Sequence, residues 1–381
     1  PGYAAYASAK DMPRLYSGCY GLGSRDMQPE ALIGTVENML PDGPQKKFFY
    51  LSVDFVRETP ANPKDEIHNQ SILEAYPRIR ELALRGSENP NLLPKESITV
   101  RMHSVGGWGA ITTGKNLAMT LYELLGWDIK ANPKYGSEKK GQPTTYYLSA
   151  APEPIRVNCE YVYVDVVLSP DPNVHEHSNP VAGLKKGGVF IVQSNRSEED
   201  LWASFPLWMQ KQIVDNDIRV FYLDAFQIAR EEAGSADLQL RMQGIAFQGA
   251  FFAASPVMKN AGLTEEKLFK AIEDQLQAKF GGKGKRVVDD NLRVVRRGFT
   301  ELKEITEKSV GATRRNLREK SAGLPVMLKQ MPEGDGKVAD IHRFWEQTGS
   351  FYASGKGSDN LVDPFIGASL VPAATGVFRD M

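Results

Sequence analysis

A chain of 381 residues with 41% hydrophobic and 24% charged residues carries enough apolar material for a sizeable core, and its length fits two or three domains. A formal net charge of -1 argues against wholesale nucleic-acid binding, no run approaches the ~20 apolar residues of a membrane span, and no signal peptide is recognisable. Two cysteines, Cys19 and Cys159, cannot build a disulfide framework or hold a four-thiolate iron–sulfur cluster alone, and they suit a reducing, cytoplasmic setting.

Residues 1–12 are polar and weakly patterned and read as an extended arm. The first residue is Pro1 rather than Met, which reads as processing or as an excerpt of a longer polypeptide. Residues 16–54 hold a glycine turn at 18–24, a helix near 29–40 that opens on Pro29, and the buried strand KFFYLSV at 47–53. Together they make a small α/β fragment that completes a sheet begun elsewhere. A Pro-rich connector (57–65), a helical stretch broken by Pro77 (69–85) and a second connector (88–96) lead to the main region.

That region begins with the β-branched run Ile98-Thr99-Val100, the cluster Gly106-Gly107-Trp108-Gly109 and a helix whose apolar positions include Leu117, Leu121 and Leu125. Strand, glycine turn and helix in this order open a βαβ unit. A basic, glycine-containing loop at 130–141 follows, then strands at 144–149, 161–168, 188–193 and 219–223. The last two end at Gln193-Ser194-Asn195 and at Asp224. Helices are expected at 225–233, 238–254, 265–280 (N-capped by Thr264) and 289–308. The fold class expected is α/β, a doubly wound, mainly parallel sheet flanked by helices. Residues 314–381 lack periodicity and read as an extended tail with aromatic anchors such as Trp345 and Phe365.

Glycines let the backbone approach a ligand, and a helix start favours an anion. The equally weighted bland reading of this turn is a tight corner that binds nothing. GAITTGK at 109–115 mimics a P-loop, but Asn116 stands where Ser or Thr is required, so nucleotide hydrolysis is set aside. A dinucleotide fingerprint fails because Ser104 occupies its first glycine position. The loop 135–142, with Ser137, Lys139 and Lys140, has the composition to wrap a phosphate, although a solvated turn is its commoner meaning. His175 and His177, near Asp171 and Glu176, read as a surface loop rather than a metal site. Lys283, Lys285 and Arg286 form a basic loop read as solvated.

Segments along the chain, in order, resemble pyruvate:ferredoxin (flavodoxin) oxidoreductase and related thiamine-diphosphate 2-oxoacid:acceptor oxidoreductases. Tyr20-Gly21-Leu22-Gly23-Ser24-Arg25-Asp26 is similar to the turn near the end of that family's second domain. The glycine loop 106–116, with Lys115-Asn116, resembles the opening of its third, gamma domain. The basic loop 135–141 with Pro154-Ile155-Arg156 resembles a later part of that domain. Phe221-Tyr222-Leu223-Asp224-Ala225 and Phe280-Gly281-Gly282-Lys283-Gly284 are similar to its third strand and closing loop. The tail from Asp363-Pro364-Phe365 to Thr375-Gly376 is similar to the linker before the ferredoxin-like module.

The resemblance implies a division into the end of the second domain (1–65), a helical linker (66–97), the gamma domain (98–323) and a tail or linker (324–381). It implies that thiamine diphosphate, its Mg²⁺ (held in the family by a Gly-Asp-Gly motif and a downstream Asn) and the iron–sulfur clusters sit on other domains. The complete enzyme decarboxylates a 2-oxoacid and passes the acyl group to coenzyme A and the electrons to ferredoxin or flavodoxin. This chain is expected to be silent alone, to act as scaffold and lid, and to associate with the other domains or subunits in an oligomer. A coenzyme A contact is expected at Gly106, Gly107, Trp108, Gly109, Lys115, Asn116, Ser137, Lys139 and Lys140. Trp108 departs from the small or polar residue usual there, so its indole either narrows the loop or gives adenine a stacking surface. The alternatives are an interface module without a ligand and a nucleotide-binding regulatory domain.

Overall fold

The computed structural model describes residues 13–21, 27, 29–51, 70, 73–74, 76–84, 92–136, 141–234, 236–311, 323–332 and 340–353. The chain divides into two compact units, Leu92–Glu319 and Pro1–Asn91 with Lys320–Met381.

In the smaller unit, β1 (Ser17–Cys19) pairs in parallel with β2 (Phe48–Tyr50), and α1 (Pro29–Met39) lies between them in sequence. Phe49, Leu51, Ala31 and Leu84 form its core. A Cβ on Gly18 would lie 2.6 Å from the Phe49 ring, so glycine lets that ring cross the strand. The glycine turn expected from residue 18 onward therefore begins as a strand. In the segment expected to be an extended tail, the described residues include helical turns at Val326–Lys329 and Ile341–Phe344, the latter running on through Trp345–Gly349 and Ser350–Ala353.

The larger unit is built on a seven-stranded sheet: β3 (Ile98–Val105), β4 (Asp128–Lys134), β5 (Pro143–Ala151), β6 (Val164–Ser169), β7 (Leu184–Gln193), β8 (Arg219–Leu223) and β9 (Lys303–Ile305), in spatial order β4-β5-β3-β6-β7-β8-β9. β3, β6, β7 and β8 run parallel, and β5, β4 and β9 add antiparallel strands at the two sides. The parallel strands are buried on both faces, so they read as near-continuous apolar runs.

Helices cover both faces. On one side, α2 (Ala110–Leu125), α5 (Ala225–Glu232), α6 (Ala236–Ala254), α7 (Glu265–Phe280) and α8 (Lys285–Thr300) meet Val100, Met102, Val166, Ile191 and Leu223. On the other, α3 (Glu198–Ser204) and α4 (Leu207–Asp215) pack on Val167, Phe190, Val192 and Val220. This is the doubly wound arrangement expected. Residues 242–250 of α6 are buried without a break, and its Phe247, Phe251 and Phe252 each contribute about 1.5–3 kcal/mol by burial. α6 and α8 touch backbone to backbone: a Cβ on Gly249 would lie 2.0 Å from Val295 O, and one on Gly298 2.0 Å from Ala246 O. Thr264 caps α7 by accepting the Lys267 amide.

Three local expectations are corrected. The loop assigned to 130–141 begins as strand β4, whose polar sequence and Pro133 suit an edge position. The strand expected from residue 161 starts at Val164. The helix expected to run to residue 308 stops at Thr300, and β9 then pairs with β8. The other surprise is Arg101, 5% exposed on β3, which donates to Val162 O (3.2 Å), Pro180 O (2.9 Å) and His103 Nε2 (3.0 Å). Burial lowers its guanidinium to about 10. It ties the central strand to the segment that enters β7.

Candidate functional site

From β3 the chain first lays β4 and β5 on one side and then β6 on the other, so the strand order reverses between β3 and β6. Ligand crevices in open α/β sheets form at the carboxyl ends of the strands beside such a reversal. That rim carries the glycine turn after β3, Asp171 after β6, Gln193-Ser194 at the end of β7 and Asp224 after β8.

The glycine turn is fixed from both sides. Gly106 N donates to Gln142 O (2.7 Å), and Gly141 N donates back to Gly106 O (3.0 Å). Gly107 and Gly109 take φ values of 96° and 83°, where a side chain would be strained, and Gly109 caps α2. Gly106, Gly107, Trp108 and Gly109 thus share one turn, as expected. Trp108 is half-buried and meets Phe226 of α5 edge-on, with ring centroids 5.4 Å apart. Behind the turn, Ser104 Oγ and Thr113 Oγ1 are buried without a hydrogen-bond partner among the described residues.

Lys115 is exposed on α2. Asn116 is 3% exposed and faces the helices instead: its Oδ1 accepts from Lys279 Nζ at 2.7 Å and its carbonyl accepts from Gln275 Nε2 at 3.1 Å. Burial, and then the neighbouring Lys115, hold the Lys279 ammonium below the usual lysine range. Asn116 is therefore an interior strut between α2 and α7, not a rim residue. Its polarity gave it the look of a ligand, and only the packing of α7 shows otherwise. Ser137, Lys139 and Lys140 lie outside the described residues.

The other end of the rim was missed from sequence. A cleft of about 510 Å³ opens beside the ends of β6, β7 and β8, walled by Phe226, Leu240, Leu201, Arg196 and Arg230. Gln193 braces it: Ala225 N donates to Gln193 Oε1 (2.8 Å), and Gln193 Nε2 donates to Asp224 Oδ1 (3.2 Å). Asp224 also accepts from Gln227 N (3.0 Å), which caps α5. The strand ends at Gln193 and Asp224 were legible; Arg196 on the loop after β7 and Arg230 on α5 gave no signal.

His175 packs edge-on against Phe205 (5.9 Å), Asp171 turns back to accept from Asn173 N (2.9 Å), and no group of three or more metal-binding side chains exists among the described residues. Cys19 and Cys159, the chain's two cysteines, cannot supply the four thiolates of an iron–sulfur cluster. A Gly-Asp-Gly triplet, the motif expected on other domains, does occur here as Gly334-Asp335-Gly336, with Asn360 downstream; both lie outside the described residues. Among the described residues no helix is long and apolar enough to cross a membrane.

Fold and rim together define a doubly wound α/β domain whose candidate ligand edge is the carboxyl end of its parallel strands. The family profile of pyruvate ferredoxin/flavodoxin oxidoreductase matches residues 99–301, more than half of the chain. The chain belongs to this family. It is 24% identical over 304 residues to a putative pyruvate-flavodoxin oxidoreductase of Synechocystis sp., covering 79% of this chain and 22% of that protein. It is 31% identical over 190 residues to the pyruvate/ketoisovalerate oxidoreductases common subunit gamma of Pyrococcus furiosus, covering 50% of this chain and 92% of that subunit. The crystal structure of pyruvate oxidoreductase subunit PORC from Thermotoga maritima aligns with a TM-score of 0.41 and 22% identity, over 55% of this chain and 99% of that one. The chain thus spans about 22% of the length of the Synechocystis relative and of a Moorella thermoacetica pyruvate:ferredoxin oxidoreductase.

Proposed function

We propose that this chain is a component of a 2-oxoacid:ferredoxin or flavodoxin oxidoreductase that converts a 2-oxoacid such as pyruvate to an acyl-coenzyme A. On this reading 98–323 is the gamma domain, 1–65 closes a second domain, 66–97 links them and 324–381 leads onward. The observation that carries it is the match to the Pyrococcus furiosus gamma subunit over 92% of that subunit's length. Thiamine diphosphate, Mg²⁺ and iron–sulfur clusters are assigned to the remaining domains or subunits, which are also its partners.

Within the assembly the domain acts as scaffold and lid, with a coenzyme A contact at the glycine turn. Support for the contact is chemical. Gly107 and Gly109 allow close backbone approach, Lys115 is exposed one turn into α2, and the hydrogen bonds of Gly106 with Gly141 and Gln142 hold the C-terminal end of the basic loop at the turn. Asn116 is left out because its side chain is buried between α2 and α7, with its Oδ1 accepting from Lys279 Nζ.

The test uses the assembled enzyme. Lys139→Ala with Lys140→Ala should raise the KM for coenzyme A at least tenfold while the KM for the 2-oxoacid stays put. An unmoved coenzyme A KM removes the contact, and turnover of a 2-oxoacid by the isolated chain removes the scaffold role.

A further inference from the structure

Lys134, Lys185 and Lys270 of the larger unit each hold a carboxylate, at 2.8 Å to Glu160, 2.9 Å to Asp165 and 2.8 Å to Asp274. Lys308 donates to the Ile218 carbonyl and has Glu304 and Asp217 nearby. Lys279, in the last turn of α7, has a different setting. Its Nζ donates to the neutral Asn116 Oδ1 at 2.7 Å, and among the described residues it has no carboxylate partner. The charge that acts on it is a like one, the ammonium of Lys115, which precedes Asn116 on α2. The Phe280 ring covers another side, with its centroid 5.4 Å from Nζ. Lys279 is nevertheless exposed as a residue, so a reagent from solution can reach it.

Partial desolvation beside a second cation is the arrangement that makes a lysine nucleophilic, because both effects favour the free amine over the ammonium. Burial first, and then Lys115, act on Lys279 in this sense. Asn116 Oδ1 holds either form, since ammonium and amine both have an N–H to donate. Lys270, one helix face away on α7, is the opposite case: Asp274 and Glu273 hold its ammonium.

We propose that Lys279 is an acylation site that takes the acyl group of an acyl thioester. The inference rests on the function proposed above for its electrophile, since that reaction ends in an acyl thioester. The Nζ lone pair forms the new C–N bond, the C–S bond breaks, and the departing thiolate takes up the proton that the nitrogen sheds. No oxidation state changes and no further reactant is needed. The amide formed is neutral, so the modification removes one of the two cations where α2 meets the end of α7.

The test incubates the full chain with acetyl-coenzyme A and, separately, with a nucleotide-free thioester, S-acetyl-N-acetylcysteamine, and reads acetylation at each lysine by peptide mass spectrometry. Lys279 should acetylate at least tenfold faster than Lys270 with either donor, although the Lys270 side chain is 67% exposed. Lys115→Gln removes the like charge and should slow Lys279 at least threefold while leaving Lys270 unchanged. Lys279 reacting no faster than Lys270, or at the parent rate in the Lys115→Gln variant, overturns the proposal. The nucleotide-free donor needs neither a coenzyme A contact nor a working enzyme, so this failure is read separately from a failure of the function proposed above.

Discussion

Trp108 and Phe226 join two elements that are 118 residues apart in the chain: their rings meet at 81° with centroids 5.4 Å apart, so the glycine turn after β3 is braced by the first turn of α5. Edge-to-face pairs add about 0.5–1.5 kcal/mol beyond area burial. A double-mutant cycle of Trp108→Ala and Phe226→Ala, read by urea unfolding, should give a coupling in that range. Strict additivity would mean that the contact does not hold the turn.

The α6–α8 crossing depends on two glycines. Gly298→Ala and Gly249→Ala each drive a Cβ to 2.0 Å from a carbonyl oxygen of the other helix, which must then move apart. Each should cost about 1–3 kcal/mol or more in chemical denaturation. Gly282→Ala, with nothing within 4 Å of the new Cβ, should stay within about 0.5 kcal/mol of the parent.

Asn116→Ala separates the two roles this residue has been given. Lys279 Nζ donates to Asn116 Oδ1, so loss of the side chain strips a half-buried ammonium of that acceptor and should destabilise the fold by about 1–3 kcal/mol, while the bond from Gln275 Nε2 to the Asn116 carbonyl is kept. In the assembled enzyme the KM for coenzyme A should not change. A raised KM at unchanged stability would return Asn116 to the ligand.

Glu198 makes acid stability measurable at one site. Its Oε1 accepts from the amides of Thr306 and Glu307 and from the Thr306 hydroxyl, and these bonds, Thr306's first, hold the carboxyl below the usual range. A lowered folded pKa stabilises above the unfolded value, near pH 4.3, and the contribution is lost as pH falls through the lowered one. Glu198→Gln should therefore melt below the parent at neutral pH, and the gap should close as pH is brought down past about 4. A gap independent of pH would show that the carboxylate charge is not involved.

The strand–turn–helix at 98–125 and the long helices were legible because apolar period alone specifies them: Ile98, Val100 and Met102 share one face of β3, and Leu117 and Leu121 one face of α2. β4 and β9 were not. An edge strand buries little, so in β4 the apolar alternation is reduced to Ile129, Ala131 and Pro133 between polar residues, and a proline with two lysines reads as loop. The glycine turn was recognised as a turn, but Asn116 and Lys115, adjacent in sequence, point to opposite environments, and only tertiary packing separates them. The cleft was invisible because its walls come from the ends of separate strands, and neither Arg196 on the loop after β7 nor Arg230 on the exposed side of α5 is marked by apolar period.

The two antiparallel flanks of the sheet have a consequence for assembly. On one side the outermost strand holds a proline that lacks an N–H and two lysines; on the other it is three residues long. Neither offers a long, flat ribbon of unpaired amides on which another chain could template itself. Among the described residues the sheet thus presents no edge suited to another chain's strand, which leaves the rim and the helical faces as the surfaces for contact.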